Sequence, residues 1–387
     1  MRYTFRLRPG AAAKRALESE WHRCRFLWNE AVHQQRAGSK PTFCPLSKML
    51  TAARSSNAWL REGSQVAQQQ TLRTYAAALK DSFRVKGRGR PVVKSRKKAL
   101  PSMGYTRRGF SIRDQRLRLP GGVSVPVVWS RELPSEPTSV RVYRDALGDW
   151  YASFVVRRDV ESLPEAAGAV GIDWGITTTA TAADPAFDLL FGGHRRRSAA
   201  ALARAQREMS RRRRPRGQAP SAGYRRARRK AAKPHKKAAR QNSHDARNRA
   251  RRVVAENQTI AVEDFKPRFL ARSRMARKAA DAAIGAAKRE LIERGMRAGR
   301  KVVLVPPAYT TMTCASCFAI AKQRLALAER TFRCEHCGHT ADRDRNAARV
   351  ILATVEPDRA GVDDVSHALA SSLVAGGAQS ESEIPRL

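Results

Sequence analysis

Residues 313–351 read TCASCFAIAKQRLALAERTFRCEHCGHTADRDRNAARVI, and the organisation of the whole chain depends on this stretch. It contains two Cys-x-x-Cys pairs, Cys314 with Cys317 and Cys334 with Cys337, separated by sixteen residues. This spacing is typical of a structural zinc site, because each tight turn directs two thiolates at one tetrahedral centre. Four thiolates leave no coordination position for water, so we expect the zinc to be structural.

Two histidines and two aspartates accompany the second cysteine pair. His336 and His339 could compete as zinc ligands, but four thiols at standard spacing favour a surface or nucleic-acid-facing position for both. Asp342 and Asp344 precede an Asn-Ala-Ala helix, where an isolated aspartate usually caps the helix. Whether these two aspartates take part in a metal site therefore depends on acidic residues elsewhere in the chain.

Two apolar segments upstream each end in an acid. AVGIDWG at 169–175 and TIAVEDF at 259–265 indicate short buried strands that carry Asp173 and Glu263. Either acid alone would be an ordinary strand-end residue. Because a buried charge is costly without a partner, two such acids and a third at a helix start indicate carboxylates held by divalent cations.

Four motifs follow one another in a fixed order: Gly-Ile-Asp-Trp-Gly at 171–175, Ala-Val-Glu-Asp-Phe at 261–265, the four cysteines, and Asp-Arg-Asp-Arg-Asn-Ala-Ala at 342–348. This ordered set resembles the RuvC-type motifs of the TnpB family. Members of that family are transposon-encoded RNA-guided nucleases, similar to the small type V CRISPR effectors. The resemblance extends weakly from the first residue to about 353, and it implies a guide RNA and double-stranded target DNA as partners.

The resemblance also indicates which of the acids would bind the catalytic metal. The family pattern uses the acid two residues before Asn-Ala-Ala, which favours Asp344, whereas Asp342 fits a helix cap or a supporting partner. We expect Asp173, Glu263 and Asp344 to converge as catalytic residues that hold two Mg²⁺ ions roughly 4 Å apart. The sequence contains no Ser-His-Asp order, P-loop or Gly-rich dinucleotide turn that would indicate a rival site.

The charge of the chain indicates a polyanionic partner. The 387 residues carry a net charge of +42, more than solubility requires, and 42% are hydrophobic, which supports folded domains. A membrane surface is the competing partner, but no segment approaches the roughly 18 apolar residues of a spanning helix. The first ten residues contain no apolar signal segment, so we expect a reduced cytoplasmic protein, prokaryotic and nucleoid-associated, in which Cys24 and Cys44 are ordinary thiols.

Half of the net charge lies in one segment. Residues 195–252 contain 23 Lys and Arg against Glu208 and Asp245, which gives +21, and they predict two long helices broken near 215–221. A solvated face is the usual explanation of a charge run, but solvated helices normally mix signs. A phosphate-lined partner therefore explains the segment better. The residues expected to bind nucleic acid are Arg211, Arg212, Arg213, Arg214, Arg225, Arg226, Arg228, Arg229 and Lys230.

The remaining patterns predict an α+β multidomain fold. Helices are expected at about 12–36, 66–83 and 275–298, a phosphate-tracking loop at 84–98, and strands at 2–8, 116–120, 123–129, on both sides of 146–149, and near 170, 179, 188, 260 and 303. The resemblance turns this into a domain map: a wedge-like β-barrel (1–9 and 99–165), a helical recognition lobe inserted in it (10–98), an RNase H-like RuvC nuclease domain (166–308 and 341–353), a zinc ribbon (309–340) and a disordered tail (354–387). A plain helical hairpin packed on the core is the alternative to the lobe.

Three functions remain open at this stage. The first is an RNA-guided endonuclease that hydrolyses target DNA. The second is a nucleic-acid-binding regulator or transposition accessory protein with an inert RNase H-like core, and the third is a transposase that joins DNA strands by itself. The presence of all three acids favours catalysis. The sequence does not distinguish a transposon protein from a small CRISPR effector, and it leaves the oligomeric state open.

Overall fold

The computed structural model describes residues 1–39, 42–96, 99–158, 162–215, 217–267, 270, 273–323, 325–326 and 329–356. The chain divides into two compact units, Met1–Asp159 and Val160–Leu387. The predicted tail lies outside the described residues from 357 onward. The first three residues of that tail, 354–356, are described. They are packed and not disordered, since Glu356 accepts a hydrogen bond from Thr259.

Unit 1 contains a seven-stranded antiparallel sheet. Its strands are β1 (Arg2–Leu7), β2 (Ser102–Thr106), β3 (Ser111–Arg113), β4 (Arg116–Leu119), β5 (Val123–Val128), β6 (Pro137–Arg144) and β7 (Trp150–Val156). They lie in the order β2-β6-β7-β1-β5-β4-β3, so the first strand of the chain occupies the centre of the sheet. The sheet is curled. Its edge strands β2 and β3 do not pair with each other, so the sheet is not shown to close into the predicted barrel.

Four helices complete unit 1. The two predicted helices are present, and two more lie between them, where apolar residues are too few to give a clear helical period. In the second helix, for example, only Leu46 and Leu50 are buried. The helices are α1 (Ala11–Arg36), α2 (Phe43–Ser56), α3 (Ala58–Arg61) and α4 (Gln65–Arg84), with a short 3₁₀ turn at Arg107–Gly109.

The basic loop at 84–98 is more than a phosphate-tracking loop. Beyond Arg84, which ends α4, its described part has no helix or strand, as predicted, but the ammonium of Lys94 lies 3.3 Å from the ring centroid of Trp28. The indole of Trp28 donates to the carbonyl of Val92 at 3.0 Å, and Asn29 accepts from the N–H of Lys94 at 2.8 Å. Burial lowers the pKa of Lys94 to about 8. The interpretation of this segment as unpacked was therefore wrong, because cation–π and backbone contacts hold it on α1.

Unit 2 contains a five-stranded mixed sheet with the strands at the predicted places. They are β8 (Gly168–Trp174), β9 (Thr178–Ala182), β10 (Leu189–Leu190), β11 (Asn257–Glu263) and β12 (Lys301–Val305). The order is β10-β9-β8-β11-β12, in which β8, β11 and β12 are parallel and β9 and β10 are antiparallel to their neighbours. Two further strands, β13 (Thr331–Arg333) and β14 (Thr340–Asp342), form a separate hairpin.

The helices of unit 2 follow the predicted pattern with two exceptions: a separate four-residue helix precedes the two predicted basic helices, and the helix predicted at 275–298 is broken. They are α5 (His194–Arg197), α6 (Ala199–Arg211), α7 (Ala222–Glu256), α8 (Ala276–Ala282), α9 (Ile284–Arg297) and α10 (Arg343–Ala353), with a 3₁₀ turn at Pro185–Phe187. The single helix predicted at 275–298 is broken at Ala283, whose φ is 54°. Next to the break, buried Asp281 accepts the N–H groups of Arg195 and Arg196 at 2.8 and 3.0 Å. A tertiary contact thus ends α8 where the alanine-rich sequence favours a continuous helix.

A close contact between α10 and β8 brings together motifs that are far apart in sequence. A Cβ atom at Gly171 would lie 2.0 Å from the carbonyl oxygen of Ala348 and 2.7 Å from the nitrogen of Leu352. Ala347 and Ala348 are themselves fully buried. The glycine and the two alanines therefore let the helix backbone approach the strand, which places the start of α10 beside the end of β8.

Candidate active site

Asp173 and Glu263 lie side by side at the carboxyl ends of β8 and β11. These strands are parallel neighbours, and Ile172 is paired with Val262, so the two acids leave the sheet at the same level. Each acid is only 6% exposed. Their carboxyl groups are hydrogen-bonded to each other, and the N–H of Trp174 donates to Oε2 of Glu263 at 3.4 Å.

Burial makes both carboxyl groups hard to ionise. It raises the pKa of Asp173 well above its usual range, and the negative charges of Glu263 and Asp344 raise it further. Burial also raises the pKa of Glu263 to about 7, against the N–H of Trp174 and the positive charge of Lys288, which lower it. A cluster of this kind favours a bound cation, because a cation removes the cost of placing like charges together.

Asp344 lies in the first turn of α10, near enough for its charge to act on Asp173. Its Oδ2 is 3.1 Å from the guanidinium of Arg330, and its Oδ1 is 3.5 Å from Nε of Arg343. Arg330 also donates to Oγ1 of Thr177 at 3.3 Å. Asp344 is thus the acid of the helix start whose charge acts on Asp173, and it is paired with cations.

Asp342 has the other role that the sequence allowed. It is the N-cap of α10, and its Oδ1 accepts the N–H of Arg345 at 2.9 Å. A carboxylate used in this way satisfies a free N–H group at the helix start. The structure therefore separates a capping aspartate from one that faces the buried acids.

The four predicted zinc ligands form one cluster. The Sγ atoms of Cys314 and Cys337 are 3.7 Å apart, those of Cys317 and Cys334 are 3.5 Å apart, and all four lie within 4.8 Å of one another. Zinc–sulfur bonds of about 2.3 Å in a tetrahedron require Sγ–Sγ distances of about 3.8 Å. The residues fit zinc, and neither His336 nor His339 belongs to the cluster.

Two family models match this chain. A family model described as "Probable transposase" matches residues 153–274, and one described as "Cas12f1-like, TNB domain" matches residues 286–351. A protein of Streptomyces pristinaespiralis is 35% identical over 301 residues, which cover 76% of this chain and 73% of that protein. The chain belongs to the TnpB family. A TnpB-family relative from Escherichia coli K12 is 27% identical over 394 residues, covering 91% of each chain, and both relatives bear the name "Putative RNA-guided DNA endonuclease", the second with the addition InsQ.

A solved structure resembles this TnpB-family chain in fold. It is the cryo-EM structure of a Cas12f1–sgRNA–target DNA complex, which matches with a TM-score of 0.52 and 14% identity. The match covers 87% of this chain and 80% of that chain. At this identity the similarity concerns the fold alone.

Asn346 is a site residue that the sequence did not reveal, although it stands within the family motif. It is fully buried on α10, its Nδ2 donates to the carbonyl of Thr313 at 2.7 Å, and its Oδ1 accepts the N–H of Ala315 at 2.9 Å. Both partners flank Cys314. Asn346 therefore fastens the first cysteine turn to the helix that carries Asp344. The signal in the sequence was a polar residue directly before two small ones at a helix start.

Replacing Asn346 by Ala is expected to destabilise unit 2 by about 2–4 kcal/mol, because a buried backbone carbonyl and a partly buried backbone N–H lose their partner. The variant should also release zinc more readily, since the first cysteine turn loses its anchor. Thermal unfolding and the rate of zinc transfer to a chelator measure the two effects. Asn248→Ala is the matched control, since Asn248 is exposed and bonds only to His244 among the described residues. Equal effects of the two variants would contradict the anchoring role.

The basic segment forms two helices, α6 and α7, with the break between them where it was predicted, and the structure packs them against each other as an antiparallel hairpin. Small residues line the buried side of α7, at Ala227, Ala231 and Ala238, while the cations at 225–230 are exposed. Glu208 on α6 accepts from Arg212 at 3.1 Å and from Lys230 at 3.3 Å. Among the described residues, the other seven predicted contacts are exposed cations without an acidic partner: Arg211, Arg213, Arg214, Arg225, Arg226, Arg228 and Arg229.

Long basic helices such as α7 also occur in membrane-associated proteins. No helix in the described parts of the chain combines the length and the apolar character that a membrane span requires.

Proposed function

We propose that this chain is an RNA-guided DNA endonuclease of a transposon, which hydrolyses phosphodiester bonds of its target DNA. The observation that carries the proposal is the contact of Asp173 and Glu263 at the ends of two parallel strands, with Asp344 beside them on α10. The family membership and the names of the two relatives support the same activity.

Asp173, Glu263 and Asp344 are the residues that would hold the catalytic metal. Buried carboxylates are the oxygen ligands that Mg²⁺ prefers, so the donor set fits that ion. Two bound Mg²⁺ ions would supply an activated water and would stabilise the leaving 3′-oxygen. The chain's own contribution is to fix the ligands: the sheet sets the spacing of Asp173 and Glu263, and the N–H of Trp174 orients the Glu263 carboxylate.

One centre would serve both DNA strands. The sequence contains one set of catalytic acids and no histidine-based second nuclease motif of the kind that lets two-domain guided effectors cut one strand each. The strand displaced by the guide would enter first and the guide-paired strand second. Each strand would meet the same three carboxylates.

The domain map is part of the proposal. The curled sheet and the helices of unit 1 would act as wedge domain and recognition lobe, and they would contact the duplex next to the target. The mixed sheet of unit 2 would be the RuvC domain, with residues 309–340 as its zinc ribbon. Because α10 follows the ribbon directly, the zinc centre would hold Asp344 in place through the cysteine turns and Asn346.

The hairpin of α6 and α7 is the proposed binding surface for the guide RNA. We expect the combined variant Arg213→Glu, Arg214→Glu, Arg226→Glu and Arg229→Glu to weaken RNA binding strongly and to lower the salt slope by roughly 3, because about four phosphate contacts are lost. Fluorescence-anisotropy titrations of the guide RNA at several salt concentrations measure both quantities.

The control reverses the exposed cations Arg277, Lys278 and Arg289, which lie in unit 2 outside the hairpin. It should change RNA affinity much less than the hairpin variant. If the hairpin variant keeps the affinity and salt slope of the wild type, the hairpin is a solvated face or contacts DNA alone.

One experiment separates the three classes of function. The purified protein is examined for a specific co-purified RNA, and cutting of matched DNA is measured with and without that RNA in the presence of Mg²⁺. An endonuclease guided by RNA cuts only with the RNA. A regulator with an inert core binds without cutting, and a transposase joins DNA strands without any guide.

A further inference from the structure

Lys288 on α9 is a nearly buried cation beside the predicted ligand Glu263, and the mechanism above gives it no part. Its side chain is 12% exposed, and its Nζ donates to Oδ1 of Asp264 at 2.6 Å and to the carbonyl of Phe265 at 3.4 Å. Both acceptors follow Glu263 directly in the chain. Lys288 therefore holds the turn that leaves β11 at the active site.

Asp264 is a further carboxylate that follows the predicted ligand Glu263 directly in the chain. Its N–H donates to the carbonyl of Val305 at 2.7 Å, so the chain stays in the sheet for one residue beyond Glu263. Successive side chains of a strand point to opposite faces, which separates Asp264 from Glu263. A carboxylate one residue from a metal ligand is nevertheless a competing oxygen donor if the chain can rotate.

The helix that carries Lys288 is a firm support. Ile284, Ala287 and Leu291 are buried on one face of α9, and Lys288 follows Ala287 directly. A contact made from a packed helix restrains its partner more tightly than a contact made from a loop. Residues that hold metal ligands without binding the metal typically change metal affinity by 10- to 100-fold when they are replaced.

We propose that Lys288 is a positioning residue of the metal site. By holding Asp264 on the α9 side of the sheet, it fixes the orientation of Glu263 and prevents Asp264 from taking its place as a ligand. This inference rests on the proposed function, because it concerns the same carboxylates.

The test compares the wild type, Lys288→Ala, Lys288→Met, Lys288→Arg and Arg289→Ala, all loaded with guide RNA. Arg289 is the exposed neighbour on the same helix and is the matched control. Binding of Mn²⁺ is measured by electron paramagnetic resonance, and the Mg²⁺ concentration for half-maximal cutting is measured in parallel. Lys288→Ala and Lys288→Met should weaken Mn²⁺ binding roughly tenfold and raise the Mg²⁺ requirement similarly. Saturating Mg²⁺ should restore most cutting, and Lys288→Arg and Arg289→Ala should resemble the wild type.

A double variant tests the role of Asp264 itself. In Lys288→Ala with Asp264→Asn the competing carboxylate is gone, so Mn²⁺ affinity should recover toward the wild-type value. The inference fails if Lys288→Met keeps wild-type Mn²⁺ affinity, or if the double variant binds Mn²⁺ as weakly as Lys288→Ala. A wild type that binds Mn²⁺ but never cuts DNA would contradict the proposed function, while the Mn²⁺ comparison would still decide the role of Lys288.

Discussion

Replacing Asp173, Glu263 or Asp344 by Ala is expected to abolish cutting of both target strands, by roughly 10³-fold or more, because each change removes a ligand of the proposed metal pair. Binding of guide RNA and target should be largely unchanged. The three acids carry negative charge and are not among the cations of the hairpin that are proposed to contact phosphates. A supercoiled plasmid that carries the target reports the result directly, because nicked and linear forms separate on a gel.

The stability of an isosteric variant provides the control for misfolding. Glu263 has a folded pKa of about 7 against an ordinary value of 4.5. Its favourable contribution is therefore present below pH 4.5 and is lost as the pH rises through 7. In metal-free protein at pH 8, Glu263→Gln should raise the unfolding temperature while cutting is lost. If an Ala variant of any of the three acids still nicks one defined strand efficiently, a second active centre exists and the single-site mechanism is wrong.

Replacing Cys314 or Cys334 by Ser should remove most of the zinc, which we expect at one ion per chain. Three thiolates and a hydroxyl do not close the tetrahedral site, and metal-binding free energies of structural zinc are on the order of 10 kcal/mol. The C-terminal part of unit 2 should become sensitive to proteases, because the described residues of the cysteine turns, β13 and β14 share only a small apolar core around Phe318 and Phe332. Metal analysis by mass spectrometry and limited proteolysis measure both changes.

Cys44→Ser is the control for this experiment, since Cys44 is an exposed free thiol outside the cluster. It should leave zinc content and protease resistance unchanged. A Cys314→Ser protein that retains wild-type zinc would exclude Cys314 as a ligand. In that case His339, which lies next to the second cysteine turn, would be the first alternative to examine.

The sequence alone determined the features that depend on short-range patterns. Two tight turns direct the thiols of Cys314, Cys317, Cys334 and Cys337 at one point, so their spacing was enough to predict the zinc cluster. Two short apolar segments that each end in an acid placed Asp173 and Glu263 at the ends of strands that the structure contains. The charge of the hairpin was likewise visible without any structure.

The tertiary structure decided what depends on contacts between distant segments. The family pattern had already favoured Asp344 over Asp342, but only the packing of α10 on Gly171 brings the start of this helix, and with it the charge of Asp344, close to Asp173. The anchoring contacts of Asn346 and Lys288 join residues more than twenty positions apart, and no local pattern predicts such pairs. The break at Ala283 contradicts the local preference for helix, and it lies beside Asp281, whose partners Arg195, Arg196 and Asn242 are distant in the sequence. Helix propensities differ by less than about 1 kcal/mol per residue between ordinary residues. Leaving a buried polar group without its hydrogen bond costs about 1–3 kcal/mol, so contacts between distant groups in a packed core outweigh the local propensity.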